Sequence, residues 1–327
     1  MLNGATTPSG ILVVRLGAMG DILHTLPAAA SLKVSFPELP LTWIVESNWA
    51  PLLEGNPSID RVIPFERRSR RTWAATRQEL RRNNYVMALD FQGLLKSAAI
   101  AWIARPGRTI GFHGSETRER LAGWLYSKTV KSRSRYVVDR NLELAAAAGA
   151  TKISRTFYVP EGKPEGDLPS DGYILASPFA GWTGKQWPLD YYAEAALRLR
   201  KELGMPLVLN GPPGSKEALT RIPNALVHVS GLPGLIDATR RATAIIGVDS
   251  GPMHLAAALG KPGVALFGPT DPERNGPCGD SITTIRGPRA SASNARGNYA
   301  RSGVIDPAMR EIAPEHVIAA LRAMCRR

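Results

Sequence analysis

The chain has 327 residues, 44% of them hydrophobic and 21% charged, which is ample for a core and favours two domains over one. The balance of 41 Lys+Arg against 28 Asp+Glu gives a formal net charge of +13. Such an excess attracts polyanions, whether nucleic acid, an anionic membrane or a phosphorylated substrate, and by itself does not choose among them. Cys278 and Cys325 lie far apart with no ligand spacing, no apolar run approaches the roughly 20 residues of a membrane helix, and Met1 to Gly10 carries no basic leader. The expectation from these features is a cytosolic protein without a disulfide scaffold, cysteine metal site, membrane span or signal peptide.

Ile11–Leu16 reads as a buried strand, followed by the glycine-bearing loop Gly17–Asp21 and a helix from about Asp21 to Ser35. Strands are expected at Leu41–Val45, Arg61–Phe65 and Tyr85–Asp90, with a polar helix over Trp73–Asn83 before the last of these. Strands alternating with helices indicate βαβ units and a mostly parallel sheet. Glu161 to Gly172 is rich in Gly, Pro, Glu and Asp, as a linker should be. The pattern then restarts, with strands at Tyr173–Ala176, Pro206–Asn210, Ala225–His228, Ala244–Val248 and Val264–Phe267, and helices at Leu189–Leu203 and Ser215–Ile222. Two successive units of similar size predict two Rossmann-like domains with parallel sheets facing a central cleft, since ligands in open parallel sheets bind beyond the carboxyl ends of the strands. The strongest loops, at 17–21, 177–187, 249–254 and 268–273, all follow strands.

Gly17 and Gly20 do not complete a dinucleotide fingerprint, and no P-loop motif is present. Asp21 is either the cap of its helix or a carboxylate able to take a proton from a substrate hydroxyl. His24, one turn on, either assists an acceptor or is an ordinary polar residue under a loop. Arg67, Arg68, Arg70 and Arg71 form a dense basic run: a solvated loop, or a site for a multivalent anion that would ease their mutual repulsion. Gln92 and Lys96 follow the fourth strand and open another helix, where they too can meet an anion. No nucleic-acid module or aromatic stacking series accompanies the charge, so nucleic acid is not the expected partner. In the second half, Ser177–Pro188 links a strand to a helix; Ala180 and Gly181 would let backbone N–H groups approach a ligand, and Lys185 would place a positive charge beside them. Asp249, Ser250 and Gly251 stand between a strand and an Ala/Leu-rich helix, with Pro252 in its first turn. This is either a plain helix cap or an anion site.

Taken together, these loops resemble glycosyltransferase family 9, the ADP-heptose:lipopolysaccharide heptosyltransferases. The resemblance is carried by Met19–Pro27, Asp90–Ala99, Lys185–Pro188, Val248–Gly251 with His254, and Phe267–Pro272, in family order across nearly the whole chain. The first two stretches look most like the branch that adds the first heptose to the Kdo of the lipid A inner core. What the resemblance implies is a GT-B fold with an acceptor-binding domain over 1–165, a nucleotide-sugar domain over 166–312, and a C-terminal helix in 313–327 packing back on the first domain. It also implies inverting transfer; with no D-x-D signature in the sequence, Asp271-Pro272-Glu273 being the nearest, metal-independent transfer with no cofactor is expected. Asp21 matches the catalytic base and Lys185 the lysine on the donor diphosphate. Ala180, Gly181, Asp249, Ser250, Gly251 and His254 belong to the donor side. His24, Arg67, Arg68, Arg70, Arg71, Gln92, Lys96 and Arg118 belong to the acceptor side. A family acid on the donor ribose falls at Pro233 or Gly234 here, with Asp237 nearby. The implied partners are ADP-heptose, a Kdo-lipid A acceptor and the anionic cytoplasmic face of the inner membrane. The alternatives are a relative using another nucleotide sugar or a later core acceptor, and a non-catalytic polyanion-binding protein.

Overall fold

The computed structural model describes residues 10–66, 68–288 and 303–325. The chain divides into two compact units at Pro160/Glu161.

In the first unit, β1 (Gly10–Val14) leads to α1 (Met19–Leu23) and α2 (Leu26–Ser35). Then come β2 (Leu41–Glu46), β3 (Arg61–Phe65), α3 (Arg70–Arg82), β4 (Tyr85–Asp90), α4 (Leu95–Ile103), β5 (Arg108–Phe112), β6 (Lys128–Val130) and α5 (Val137–Ala147). The sheet is wholly parallel in the order β3-β2-β1-β4-β5-β6. Every residue of β1 is buried, as a central parallel strand covered on both faces requires. The single helix expected over Asp21–Ser35 is two. Pro27 lies in the first turn of α2, and it cannot continue a helix running from α1 because its ring would meet the carbonyl of Leu23. The polar helix begins at Arg70 rather than Trp73, because the Ser69 side chain accepts the N–H of Thr72 and caps it.

In the second unit the order is β7 (Ile174–Ala176), α6 (Leu189–Leu203), β8 (Leu207–Gly211), α7 (Lys216–Thr220), β9 (Leu226–Val229), α8 (Leu232–Arg241), β10 (Ala244–Val248), α9 (Gly251–Ala258), β11 (Gly263–Phe267), α10 (Pro272–Asn275), β12 (Ile282–Arg286), α11 (Pro307–Arg310) and α12 (Pro314–Cys325). This sheet is also parallel, β12-β11-β10-β7-β8-β9. Counted within each unit, both sheets have the doubly wound order 3-2-1-4-5-6. Each therefore has one crevice where the winding reverses, between β1 and β4 in the first unit and between β7 and β10 in the second.

Two expectations about boundaries are corrected. The second unit starts five residues earlier than residue 166, because the linker is strapped to α8. The N–H of Lys163 donates to the carbonyl of Pro233 at 3.1 Å, and the Glu165 carboxylate accepts the N–H groups of Gly231 (2.6 Å) and Gly234 (3.0 Å). The C-terminal helix α12 belongs to the second unit and packs into its core. Its apolar stripe Val317, Ile318 and Leu321 is fully buried in one core with Trp187, Tyr192, Ala196 and Leu199. The Trp187 indole N–H donates to the carbonyl of Ile312 at 2.8 Å, fixing the approach to α12.

Candidate active site

In the first unit the functional loops leave the carboxyl ends of β1 and β4, which are paired Val14 to Asp90. Arg15 continues β1. Its guanidinium is mostly buried, makes an ion pair with the Asp21 carboxylate at 2.6 Å and donates to the carbonyl of Phe91. Asp21 itself is 46% exposed, so one carboxylate oxygen is tethered while the group opens to solvent. The Oε1 of Gln92 accepts the N–H of Leu16 at 2.8 Å and ties the two loops together. Below them Asp90 is wholly buried. Its carboxylate accepts from the N–H of Gln92 (2.8 Å), the N–H of Gly93 (3.3 Å), the Ser97 hydroxyl (2.7 Å) and the Tyr126 hydroxyl (2.7 Å). Burial pushes the Asp90 carboxyl up, and these four donors pull against that shift. Gly93 has φ +70°, and a Cβ there would stand 2.9 Å from the Thr117 side chain, so only glycine fits the turn that presents Gln92.

The other acceptor-side residues stand on several elements of the first unit. Lys96 sits 3.7 Å from Glu46 and over the ring of Phe65 at 5.2 Å. Arg68, Arg71 and Arg118 are exposed. Arg70 opens α3, and Arg67 lies outside the described residues. Arg71 also lies in the first helical turn, where the free N–H groups favour an anion, not a cation. His24 is buried, with its carbonyl accepting from the side-chain amide of Asn141 at 2.9 Å, so its place is in the interior between α1 and α5 rather than on the open face.

In the second unit the loops after β7 and β10 meet. Lys185 closes a short turn, Thr183–Lys185, and its ammonium reaches the Asp249 carboxylate at 2.6 Å. His254, on α9, faces the other carboxylate oxygen at 3.5 Å. Burial alone would raise the Asp249 carboxyl. The hydrogen bond with His254 and the charge of Lys185 outweigh it and hold Asp249 well below the usual carboxylate range. Gly184 is required by contact: a Cβ would stand 2.2 Å from the Trp182 ring, which lies 5.9 Å from the Lys185 ammonium. A Cβ on Gly181 would meet open space, so the backbone there is accessible. Ser250 is the N-cap of α9 in extended conformation, and Pro252 occupies the first turn. The buried Ser250 hydroxyl has no partner among the described residues, nor has that of Thr270, which follows the neighbouring strand β11. Two orphaned buried hydroxyls, free helix N–H groups and a lysine at one sheet end make a site for an anion. Asp237 pairs with Arg241 at 3.5 Å, while the carboxylate at the start of α8 is that of Glu165.

The sequence reading did not assign Arg15, Asp90, Tyr126 or Thr270. Arg15 interrupts an apolar run just before the loop, which was the available signal. Asp90 ends a strand, and nothing in sequence announced its burial.

Two doubly wound parallel units, one with an exposed carboxylate and one with an anion site at its switch point, define a two-domain glycosyltransferase of the GT-B class. The model for glycosyltransferase family 9 (heptosyltransferase) matches residues 73–301, and the chain belongs to that family. It is 30% identical over 312 residues to lipopolysaccharide heptosyltransferase 1 of Escherichia coli K12, covering 87% of this chain and 95% of that protein. It is 30% identical over 299 residues to the Pseudomonas aeruginosa protein of the same name, covering 83% and 82%. The structure of the E. coli heptosyltransferase WaaC with ADP superposes with a TM-score of 0.75 at 27% identity, over 96% of this chain and 99% of that one. No helix among the described residues is long and apolar enough to cross a membrane.

Proposed function

We propose that this chain transfers L-glycero-D-manno-heptose from ADP-heptose to the Kdo of an inner-core lipid A acceptor, with inversion at the anomeric carbon. The observation that carries the reading is the Asp21 carboxylate, tethered by Arg15 at the β1/β4 crevice yet open to solvent. The acceptor hydroxyl attacks the anomeric carbon as Asp21 takes its proton. The anomeric C–O bond breaks with its electron pair going to the diphosphate. Lys185 and the N–H groups at Ser250 and Gly251 stabilise the departing charge, with the Ser250 and Thr270 hydroxyls as further donors. A single base with the acceptor in the place of water matches inverting geometry. The donor is supported by the solved WaaC complexes with ADP and with ADP-2-deoxy-2-fluoro heptose. Arg68, Arg71 and Arg118 meet the acidic acceptor, joined by the basic run's Arg67 and Arg70.

The test is ADP release from ADP-heptose with and without Kdo₂-lipid A, for the native chain and for Asp21→Asn. Acceptor-dependent release should fall at least about 100-fold in the variant, with ADP affinity unchanged. Release by the variant within twofold of native would remove Asp21 from the base role. Native release only with an already heptosylated acceptor would move the reading to a later core position.

A further inference from the structure

The first unit carries large apolar side chains that its core does not use. Leu95 and Trp102 on α4 are 41% and 59% exposed, and Leu121 and Trp124 in the short turn Arg120–Leu125 are 51% and 85% exposed. The two elements form one surface, because Ala98 of α4 packs against Ala122 of the turn. Seven residues apart on a helix, Leu95 and Trp102 share a face and stand about 10 Å apart along its axis. Three residues apart in a 3₁₀ turn, Leu121 and Trp124 also share a face. Ala98 lies between Leu95 and Trp102 along α4, and Ala122 between Leu121 and Trp124 along the turn.

Basic groups stand at both ends of this patch. Beyond Trp102, the Arg81 guanidinium donates to the carbonyl of Ile103 at 3.4 Å. Arg77 lies one turn before Arg81 on α3, the Arg105 N–H donates to the carbonyl of Trp102 at 3.1 Å, and all three arginines are exposed. Beside Leu121 lie the exposed Arg120 and Arg118. The acid at this edge, Glu119, accepts the N–H of Leu95 at 2.6 Å. Exposed tryptophans in an arginine frame fit an anionic bilayer surface: the indoles sit at the headgroup level while the charges meet lipid phosphates.

We propose that the Leu95–Trp102–Leu121–Trp124 face docks this chain on an anionic lipid bilayer. The proposal takes its purpose from the lipid-linked acceptor of the functional reading. α4 starts just after Gln92, so the docked face adjoins the acceptor loop.

The test is co-sedimentation of the full chain with vesicles of phosphatidylethanolamine and phosphatidylglycerol, and with phosphatidylcholine vesicles as the neutral control. Turnover on an acyl-free, water-soluble Kdo acceptor is measured separately, so docking and chemistry can fail independently. The native chain should bind the anionic vesicles, more weakly as salt rises. Trp102→Gln/Trp124→Gln should weaken binding at least about tenfold, and Arg105→Gln/Arg120→Gln about fivefold per charge. Turnover on the soluble acceptor should stay within twofold of native in both. Brominated lipid should quench tryptophan fluorescence in the native chain and lose most of that quenching in the Trp102/Trp124 variant. Equal vesicle binding by native and Trp102/Trp124 variant overturns the proposal, as does no native binding to anionic vesicles. A dimer of the native chain that dissociates in the variant, without change in vesicle binding, would assign the face to a second copy instead.

Discussion

Lys185→Met isolates the charge at the heart of the second unit. The Lys185 ammonium lies 2.6 Å from the Asp249 carboxylate, with side-chain exposures of 18% and 6%. Methionine keeps the length and removes the charge, leaving a carboxylate in the interior with the His254 ring as its remaining close partner at 3.5 Å. Breaking a buried ion pair by removing one side destabilises by about 3–5 kcal/mol. His254 offsets part of this, so the lower end, about 3 kcal/mol, is expected. For a unit of this size that is a drop in melting temperature of about 6–12 °C. Adding Asp249→Asn removes the stranded charge and should return stability to within about 1 kcal/mol of native. Neither variant should recover transfer, because the leaving diphosphate still lacks its cation, a loss of about 100-fold or more. Urea denaturation and ADP release on the same preparations separate the two effects. A Lys185→Met variant within about 1 kcal/mol of native, or a double variant no more stable than the single, would refute the reasoning that the pair is a buried electrostatic unit.

Tyr126→Phe removes one of four donors from the buried Asp90 carboxylate and should lower stability in urea by about 2 kcal/mol, the scale of a hydrogen bond to a charged group; a change under about 0.5 kcal/mol would deny the bond its role. Asp249 is held low in the folded state, so its contribution is complete above the unfolded value of about 3.9 and fades as pH falls through the lower folded value. The stability deficit of Asp249→Asn should therefore narrow between about pH 5 and pH 3, and an equal deficit at both would contradict the depressed value. Arg68→Gln/Arg71→Gln should raise KM for the acidic acceptor severalfold and leave KM for the donor unchanged, with added salt mimicking the effect in the native enzyme; equal changes in both constants would detach these arginines from the acceptor.

The strands that sequence made legible are the buried ones. Ile11–Val14 and Ala244–Val248 read as apolar runs because a central parallel strand is covered on both faces. β5, β6 and β12 were missed. β6 has three residues, and β12, ITTIR, exposes most of its residues at the sheet edge, so neither carries an apolar run. The loops that do chemistry were also legible, since glycine, proline and capping residues mark where a strand turns into a helix. What each loop's side chains touch was not.

Asp21, Lys185, Asp249 and His254 were visible as residue types at strand ends, and local spacing alone placed His254 near Asp249 on α9. Lys185 and Asp249 are 64 positions apart. Only the parallel pairing of β7 with β10 brings their loops to one crevice, because in a doubly wound sheet the neighbour of the first strand is the fourth. The same holds for Arg15 and Phe91, and for Asp90 and Tyr126, joined across β1, β4 and the turn before β6. α12 shows the limit most plainly. The family resemblance implied a C-terminal helix, but its apolar stripe is complementary to any apolar groove of its size. The groove on α6, anchored by Trp187, exists only once the second sheet has folded, and so only the tertiary structure decided which unit the end of the chain completes.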